Sequence, residues 1–138
     1  MVQVVHRVKV FVYSLGGPRP DYLLLRGPGL ESFWGPVQGP IGFGEKLETA
    51  TLRSVMEYVG LGRPVELHDL QCPSRWLVGD EEIIEWSFGY RTRSQVGELD
   101  LDPRWADFRW AHFTDAYPAL ELEHDRAAIL RLHALLAA

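Results

Sequence analysis

The stretch from Gly39 to Leu61, GPIGFGEKLETATLRSVMEYVGL, joins a glycine-rich loop to a long segment without glycine or proline. The loop half, which runs to Glu45, is too dense in glycine and proline to hold a long regular element. From Lys46 to Val59 the apolar residues recur at roughly helical spacing, and Gly60 is a natural helix stop. The sequence therefore predicts a loop that opens into a helix of about four turns.

The loop contains three glycines, Gly39, Gly42 and Gly44, close to the start of the predicted helix. Their spacing is not that of a dinucleotide-binding fingerprint, and no acidic residue at the expected distance supports one. Backbone N–H groups at a helix start nevertheless attract anions. Because an ordinary tight turn has the same composition, the glycines by themselves leave a binding loop and a plain turn as alternatives.

Outside this stretch, alternating apolar and polar residues indicate β-strands, most clearly before residue 14 and around Trp86. The predicted strands are 1–13, 22–25, a short one within 33–45, 65–70, 75–78, 82–91 and 108–113. Residues 94–103 are predicted to be a polar, acidic loop, Pro118 to end a turn, and residues 121–138 to form a second helix. This order predicts an α+β fold, with a mixed β-sheet and a helix on each face, in a single domain over 1–138.

The sequence also predicts the location of two sets of side chains, one at the surface and one in the core. The polar residues of the last helix are expected on its solvent face: His124, Asp125, Arg126 and His133. The tryptophans are expected mostly in the core, with one or two available to stack on a base: Trp34, Trp76, Trp86, Trp105 and Trp110.

Composition excludes several classes of protein. The 138 residues are 46% hydrophobic and 24% charged, which excludes a disordered or collagen-like chain. A net charge of -5, with Lys9 and Lys46 as the only lysines, argues against a nucleic-acid binder. No apolar run approaches the roughly 18 residues of a membrane span. The single cysteine, Cys72, fits a reducing compartment, so we expect a cytoplasmic protein.

The residues from Gly39 to Leu61 resemble the Nudix box, G-x5-E-x7-R-E-U-x-E-E-x-G-U, in which U is a bulky aliphatic residue. The positions that match without a gap are Gly39, Glu45, Arg53, Val55, Glu57, Gly60 and Leu61. Residues 33–45, the aromatic strand around Trp86, the strand ending near Trp110 and the last helix are more weakly similar to one Nudix group. That group acts on dihydroneopterin triphosphate and related nucleoside triphosphates.

The resemblance implies an α/β/α sandwich of Nudix type and hydrolysis of a phosphoanhydride in a nucleoside-diphosphate-linked or triphosphate-like substrate. It implies Mg²⁺ or Mn²⁺ held by box glutamates, with Glu57 as metal ligand and Arg53 and Glu57 as the catalytic pair. The substrate-binding residues would be Gly39, Gly42, Gly44 and Glu45. If the resemblance is set aside, the spacing of Arg53 and Glu57 indicates only a surface ion pair four residues apart on a helix. Glu45 is expected mainly to order the loop.

Two positions depart from the box: Ser54 replaces the glutamate after the arginine, and Tyr58 replaces the second glutamate of the later pair. One carboxylate rarely holds Mg²⁺ without further oxygen ligands. Three outcomes therefore stay open: reduced activity, substitution by other carboxylates, or binding without hydrolysis. The carboxylates considered as substitutes are Glu48, Glu82, Glu85, Glu98 and Asp107.

The expected partner is a small nucleotide-like molecule, with no nucleic acid and no membrane. The alternative to a hydrolase is a catalytically impaired Nudix-fold module that binds a nucleotide-like ligand or a protein partner. A third reading is self-association as a homodimer, which is frequent in the family, although no segment identifies an interface.

Overall fold

The computed structural model describes residues 3–29, 32–93 and 99–137, and its central strand is β1 (Gln3–Ser14). The other strands are β2 (Asp21–Arg26), β3 (Val37–Pro40), β4 (Glu66–Asp69), β5 (Ser74–Val78), β6 (Glu81–Arg91) and β7 (Asp107–His112). The helices are α1 (Leu47–Val59), α2 (Phe113–Ala119) and α3 (Glu123–Ala137). The described strands form one mixed sheet in the order β4-β6-β1-β2-β7, with β3 paired to β1 and β5 to β6.

Strand β1 organises the sheet because it pairs with three neighbours. It runs parallel to β6 along its length and antiparallel to β2 at its C-terminal end. Its earlier residues pair antiparallel with β3, so Val8 lies opposite Gly39 and Arg7 opposite Pro40. The loop of the box-like stretch is therefore attached directly to the central strand.

The two faces of the sheet carry separate cores. Alternate residues of β1, including Val8 and Val10, pack with α1 residues such as Val55 and Val59 on one face. The intervening residues, including Phe11, pack with α3 residues Ile129 and Leu132 on the other. The predicted α+β fold, with a mixed sheet between helices, is confirmed.

Two expectations from sequence are wrong in detail. Pro118 lies inside α2, where the turn was expected, and α2 continues directly from β7. Asp125 is 1% exposed, because it faces the sheet and not the solvent. Four of the five tryptophans pack against the two cores, as expected, although each is only partly buried: Trp34, Trp86, Trp105 and Trp110.

Part of the expected acidic loop, including Glu98, lies outside the described residues. Among those that are described, no helix has the length and apolar character needed to cross a membrane.

Candidate functional site

The first turn of α1 has backbone amides without a side-chain cap. Lys46 precedes the helix in an extended conformation and caps no N–H group. A helix start leaves several N–H groups without intrahelical partners, and these carry partial positive charge. At the other end, Gly60 takes the left-handed conformation, with φ 74°, and donates to the Met56 carbonyl. The box glycine at this position thus ends the helix, as predicted.

Arg53 holds the loop of the box against α1. Its Nε donates to Glu45 Oε2 at 2.9 Å, and its Nη2 donates to Glu45 Oε1 at 2.9 Å and to the Pro40 carbonyl at 2.7 Å. Its Nη1 reaches Glu57 Oε2 at 3.3 Å. Glu45 Oε1 also accepts the Gly42 N–H at 2.8 Å, which closes the loop.

These bonds fix the charge of Glu45. Hydrogen bonds from Arg53, and then from the Gly42 amide, lower the pKa of the Glu45 carboxyl to about 2. The same contact with Glu45 raises the pKa of the Arg53 guanidinium. Glu45 is therefore an ionised carboxylate whose two oxygens accept hydrogen bonds from Arg53.

Gly39 lies against α1 at the two positions where the box is altered. A Cβ atom at Gly39 would stand 2.1 Å from Ser54 Oγ and 3.1 Å from a ring carbon of Tyr58. Ser54 is 0% exposed and Tyr58 is 5% exposed. The strand and the helix therefore touch here through glycine, serine and tyrosine.

Arg104 covers the same part of α1 from outside. Its guanidinium carbon lies 4.1 Å from the centre of the Tyr58 ring, within the range of a cation–π contact. Asp102 holds Arg104 through an Nε–Oδ1 contact of 3.2 Å, and its own N–H donates to the Tyr58 carbonyl.

The side chains on the box helix do not fit a divalent metal. Glu57 is half-exposed and is paired with Arg53, and neither Ser54 nor Tyr58 supplies a carboxylate. Within residues 3–29, 32–93 and 99–137 no group of three or more His, Cys, Asp or Glu side chains is arranged to hold a metal ion.

The carboxylates considered as substitutes lie away from the box helix, except Glu48 on its first turn. Glu82 pairs with Arg75, and Asp107 pairs with Arg26. Glu48 lines a separate small pocket, and Glu85 is buried on the α3 side of the sheet. Glu98 lies outside the described residues. Of the three outcomes left open by the sequence, substitution by other carboxylates therefore has no support among the described residues.

A cleft of about 610 Å³ opens beside the box loop. One wall is the loop itself, with Gly42, Gly44 and Glu45, while Gly39 stays behind it against α1. The opposite wall holds Trp86, whose ring stacks on His6 with centroids 6.3 Å apart and planes inclined by 14°. The remaining lining residues are mostly apolar: Val4, Val5, Pro40, Ile41, Phe43 and Leu47.

A second polar cluster, which sequence reasoning missed, lies between the sheet and the start of α3. Glu85 is 0% exposed and contacts Arg7 at 2.9 Å, Lys9 at 3.3 Å and His124 at 3.3 Å. It also accepts the indole N–H of Trp76 at 2.8 Å. Lys9 in turn donates to the buried Asp125. A signal was present in the sequence, since Arg7 and Lys9 alternate with the apolar residues of a strand that is buried on both faces.

Comparison with solved structures identifies the architecture. A Listeria monocytogenes protein assigned to the NUDIX hydrolases superposes with a TM-score of 0.83 at 17% identity, covering 96% of this chain and 94% of that one. The chain has the Nudix fold. No protein-family model matches the sequence, and no curated protein matches it.

Two further Nudix structures cover the whole architecture. The E. coli dihydroneopterin triphosphate pyrophosphohydrolase has a TM-score of 0.80 at 18% identity, over 98% of this chain and 99% of that one. The NUDIX domain of Shewanella oneidensis NrtR, complexed with ADP ribose, has a TM-score of 0.78 at 15% identity, over 99% and 90%. At these identities the similarity establishes the Nudix fold, and the function has to be argued from the side chains.

Proposed function

We propose that the protein binds a nucleotide-like molecule that contains a phosphoanhydride, in the cleft beside the box loop. The observation that carries this proposal is the position of the cleft. It lies between a glycine loop fixed by Arg53 and the stacked Trp86–His6 pair. Such a cleft places an aromatic wall and a glycine loop beside the start of α1 within one small volume.

The ring-binding side consists of aromatic and aliphatic surface. Trp86 presents an indole, and Phe43 at the tip of the loop is fully exposed. Aromatic faces bind bases by stacking, and each stacked base contributes about 1–3 kcal/mol. Exposed aromatic groups around a cleft favour a planar ring as the part of the ligand that enters it.

The phosphate side consists of the loop and the start of α1. The uncapped first turn of α1 adjoins the cleft through Leu47. Helix starts of this kind stabilise phosphates through their N–H groups. The charge of Glu45, which would otherwise repel a phosphate, is compensated by Arg53.

Hydrolysis of the phosphoanhydride is the reaction that the fold supports in general. On this proposal Arg53 would orient Glu57, the box glutamate expected to be catalytic, while Glu45 is the carboxylate that lines the cleft. Binding without hydrolysis is the second candidate. The residues at positions 54 and 58 favour it, because Ser54 and Tyr58 are buried and neither carries the carboxylate of the box.

Calorimetry and a phosphate-release assay test both candidates with ATP, dihydroneopterin triphosphate and ADP ribose as probes. We expect at least one probe to bind, and Phe43→Ala to weaken its binding several-fold. Leu77→Ala removes another exposed apolar side chain, from β5 and outside the cleft, and is the matched control. Failure of all three probes to bind would contradict the proposed ligand class. Release of phosphate or nucleoside monophosphate, abolished by Glu57→Gln, would favour the hydrolase over the second candidate.

A further inference from the structure

The two altered box positions, Ser54 and Tyr58, are buried between α1 and β3. Ser54 has no solvent exposure, and its hydroxyl lies where a single added methyl group on Gly39 would collide with it. The Ser54 hydroxyl also has no hydrogen-bond partner among the described residues. A serine in this position is a spacer between β3 and α1.

Tyr58 closes the same region with its ring. The ring packs against Gly39 on one side, and the Arg104 guanidinium stands over it at 4.1 Å. Asp102 fixes Arg104 in place, and its N–H is bonded to the backbone of Tyr58. Arg104, paired with Asp102, thus covers the ring of the altered box residue Tyr58.

The remaining box carboxylate is already paired with a cation. Glu57 contacts Arg53, and Arg53 is held by three further bonds to Glu45 and Pro40. A metal ion at Glu57 would meet a single box carboxylate that already accepts the Arg53 Nη1–H at 3.3 Å, with serine and tyrosine at the two other glutamate positions.

We infer that the box helix of this chain works without a divalent metal ion, and that the Arg53 guanidinium is the cation paired with Glu57, its remaining box carboxylate. The inference goes beyond the proposed function, because it concerns the helix whether or not the cleft binds a nucleotide. It separates this chain from the metal-dependent chemistry that the box resemblance implies.

Titration of the full chain with Mn²⁺ alone, followed by electron paramagnetic resonance of the free ion, tests the inference without a nucleotide. We expect no binding at the box helix tighter than about 1 mM. Glu57→Gln removes the last box carboxylate, and Glu123→Gln removes a carboxylate that is 91% exposed on α3 as the matched control.

Each outcome of the titration decides the matter. An absence of bound Mn²⁺ supports the inference, and so does binding that persists unchanged in Glu57→Gln, since the ion then lies elsewhere. One equivalent of Mn²⁺ that is lost in Glu57→Gln and retained in Glu123→Gln overturns it. The result is independent of whether ATP or ADP ribose binds, so failure of the proposed function would be recognised separately.

Discussion

Two charged networks in this protein have similar composition and opposite surroundings. The box network joins Arg53 to Glu45 and Glu57 at the edge of a cleft, where Arg53 and Glu57 are 31% and 50% exposed. The interior network joins Arg7 and Lys9 to Glu85 and Asp125, with His124 beside them, and its two carboxylates are at most 1% exposed.

Because the two networks differ in exposure, they are expected to contribute differently to the free energy of unfolding. Exposed ion pairs contribute roughly 0–1 kcal/mol, since water screens the charges. Removing one partner from a buried pair typically costs about 3–5 kcal/mol, because the other charge is left without compensation. The box network is therefore expected to set the shape of a loop, and the interior network to fix α3 against the sheet.

The largest expected effect comes from removing a charge in the interior network. Glu85→Gln keeps the size of the side chain but leaves Arg7 and Lys9 without their shared carboxylate, so we expect a loss of about 3–5 kcal/mol in the free energy of unfolding. Urea denaturation followed by circular dichroism measures this loss. Glu57→Gln in the box network is the matched control and should cost less than about 1 kcal/mol. Equal effects of the two substitutions would contradict the comparison.

A smaller effect is expected at the contact between the loop strand and α1. Gly39→Ala should destabilise the fold by about 1–3 kcal/mol, because the added methyl group overlaps Ser54 Oγ. The same urea experiment measures it. Adding Ser54→Ala to Gly39→Ala should recover part of the loss, and a strictly additive pair would show that the two residues do not touch.

The pH dependence of the interior network is expected to be centred on His124. Burial, and then the charge of Lys9, lower the pKa of the His124 imidazole from its ordinary value of 6.5. The unfolded chain then takes up the proton first, so the free energy of unfolding should decrease as the pH falls below 6.5. Urea denaturation at several pH values measures this slope. His124→Gln should reduce the change in unfolding free energy with pH. An unchanged pH dependence would show that His124 does not cause it.

The box network is expected to respond only at much lower pH. Because the pKa of Glu45 is about 2, its bond to the Gly42 amide should persist below the ordinary carboxyl value of 4.5 and be lost as the pH falls through about 2. The chemical shift of the Gly42 amide reports this titration directly. Arg53→Gln should move the midpoint upward. A midpoint near 4.5 in the unaltered chain would show that Arg53 does not hold the carboxylate.

Local sequence patterns predicted the α+β architecture because they extend over many residues. The segment from Lys46 to Val59 lacks helix breakers and has helical periodicity, and α1 occupies it almost completely. Strand β6 was predicted from ten alternating residues and has the expected position. The short α2 was missed because Pro118 reads as a break when only neighbouring residues are considered.

The sequence could not predict which polar residues become buried together. The pattern of α3 predicts Asp125 on the solvent-exposed face of the helix. In the structure Asp125 is buried and paired with Lys9 of the distant strand β1. The relation between Tyr58 and Arg104 likewise depends on how a loop returns to the helix. The box spacing indicated the region of the site, whereas the partners of Ser54, Glu57 and Tyr58 required the fold.

The most direct test of the proposed function is a two-dimensional NMR titration with ADP ribose in the presence of EDTA, in which the indole N–H signals of Trp86 and Trp76 are compared. Trp86 lines the cleft, whereas Trp76 donates to Glu85 in the interior network. We predict that the Trp86 signal and the amides of Gly42 and Gly44 shift without metal, while the Trp76 signal stays in place. A shift of Trp76 with Trp86 unchanged, or a response only when Mg²⁺ is added, would contradict the account.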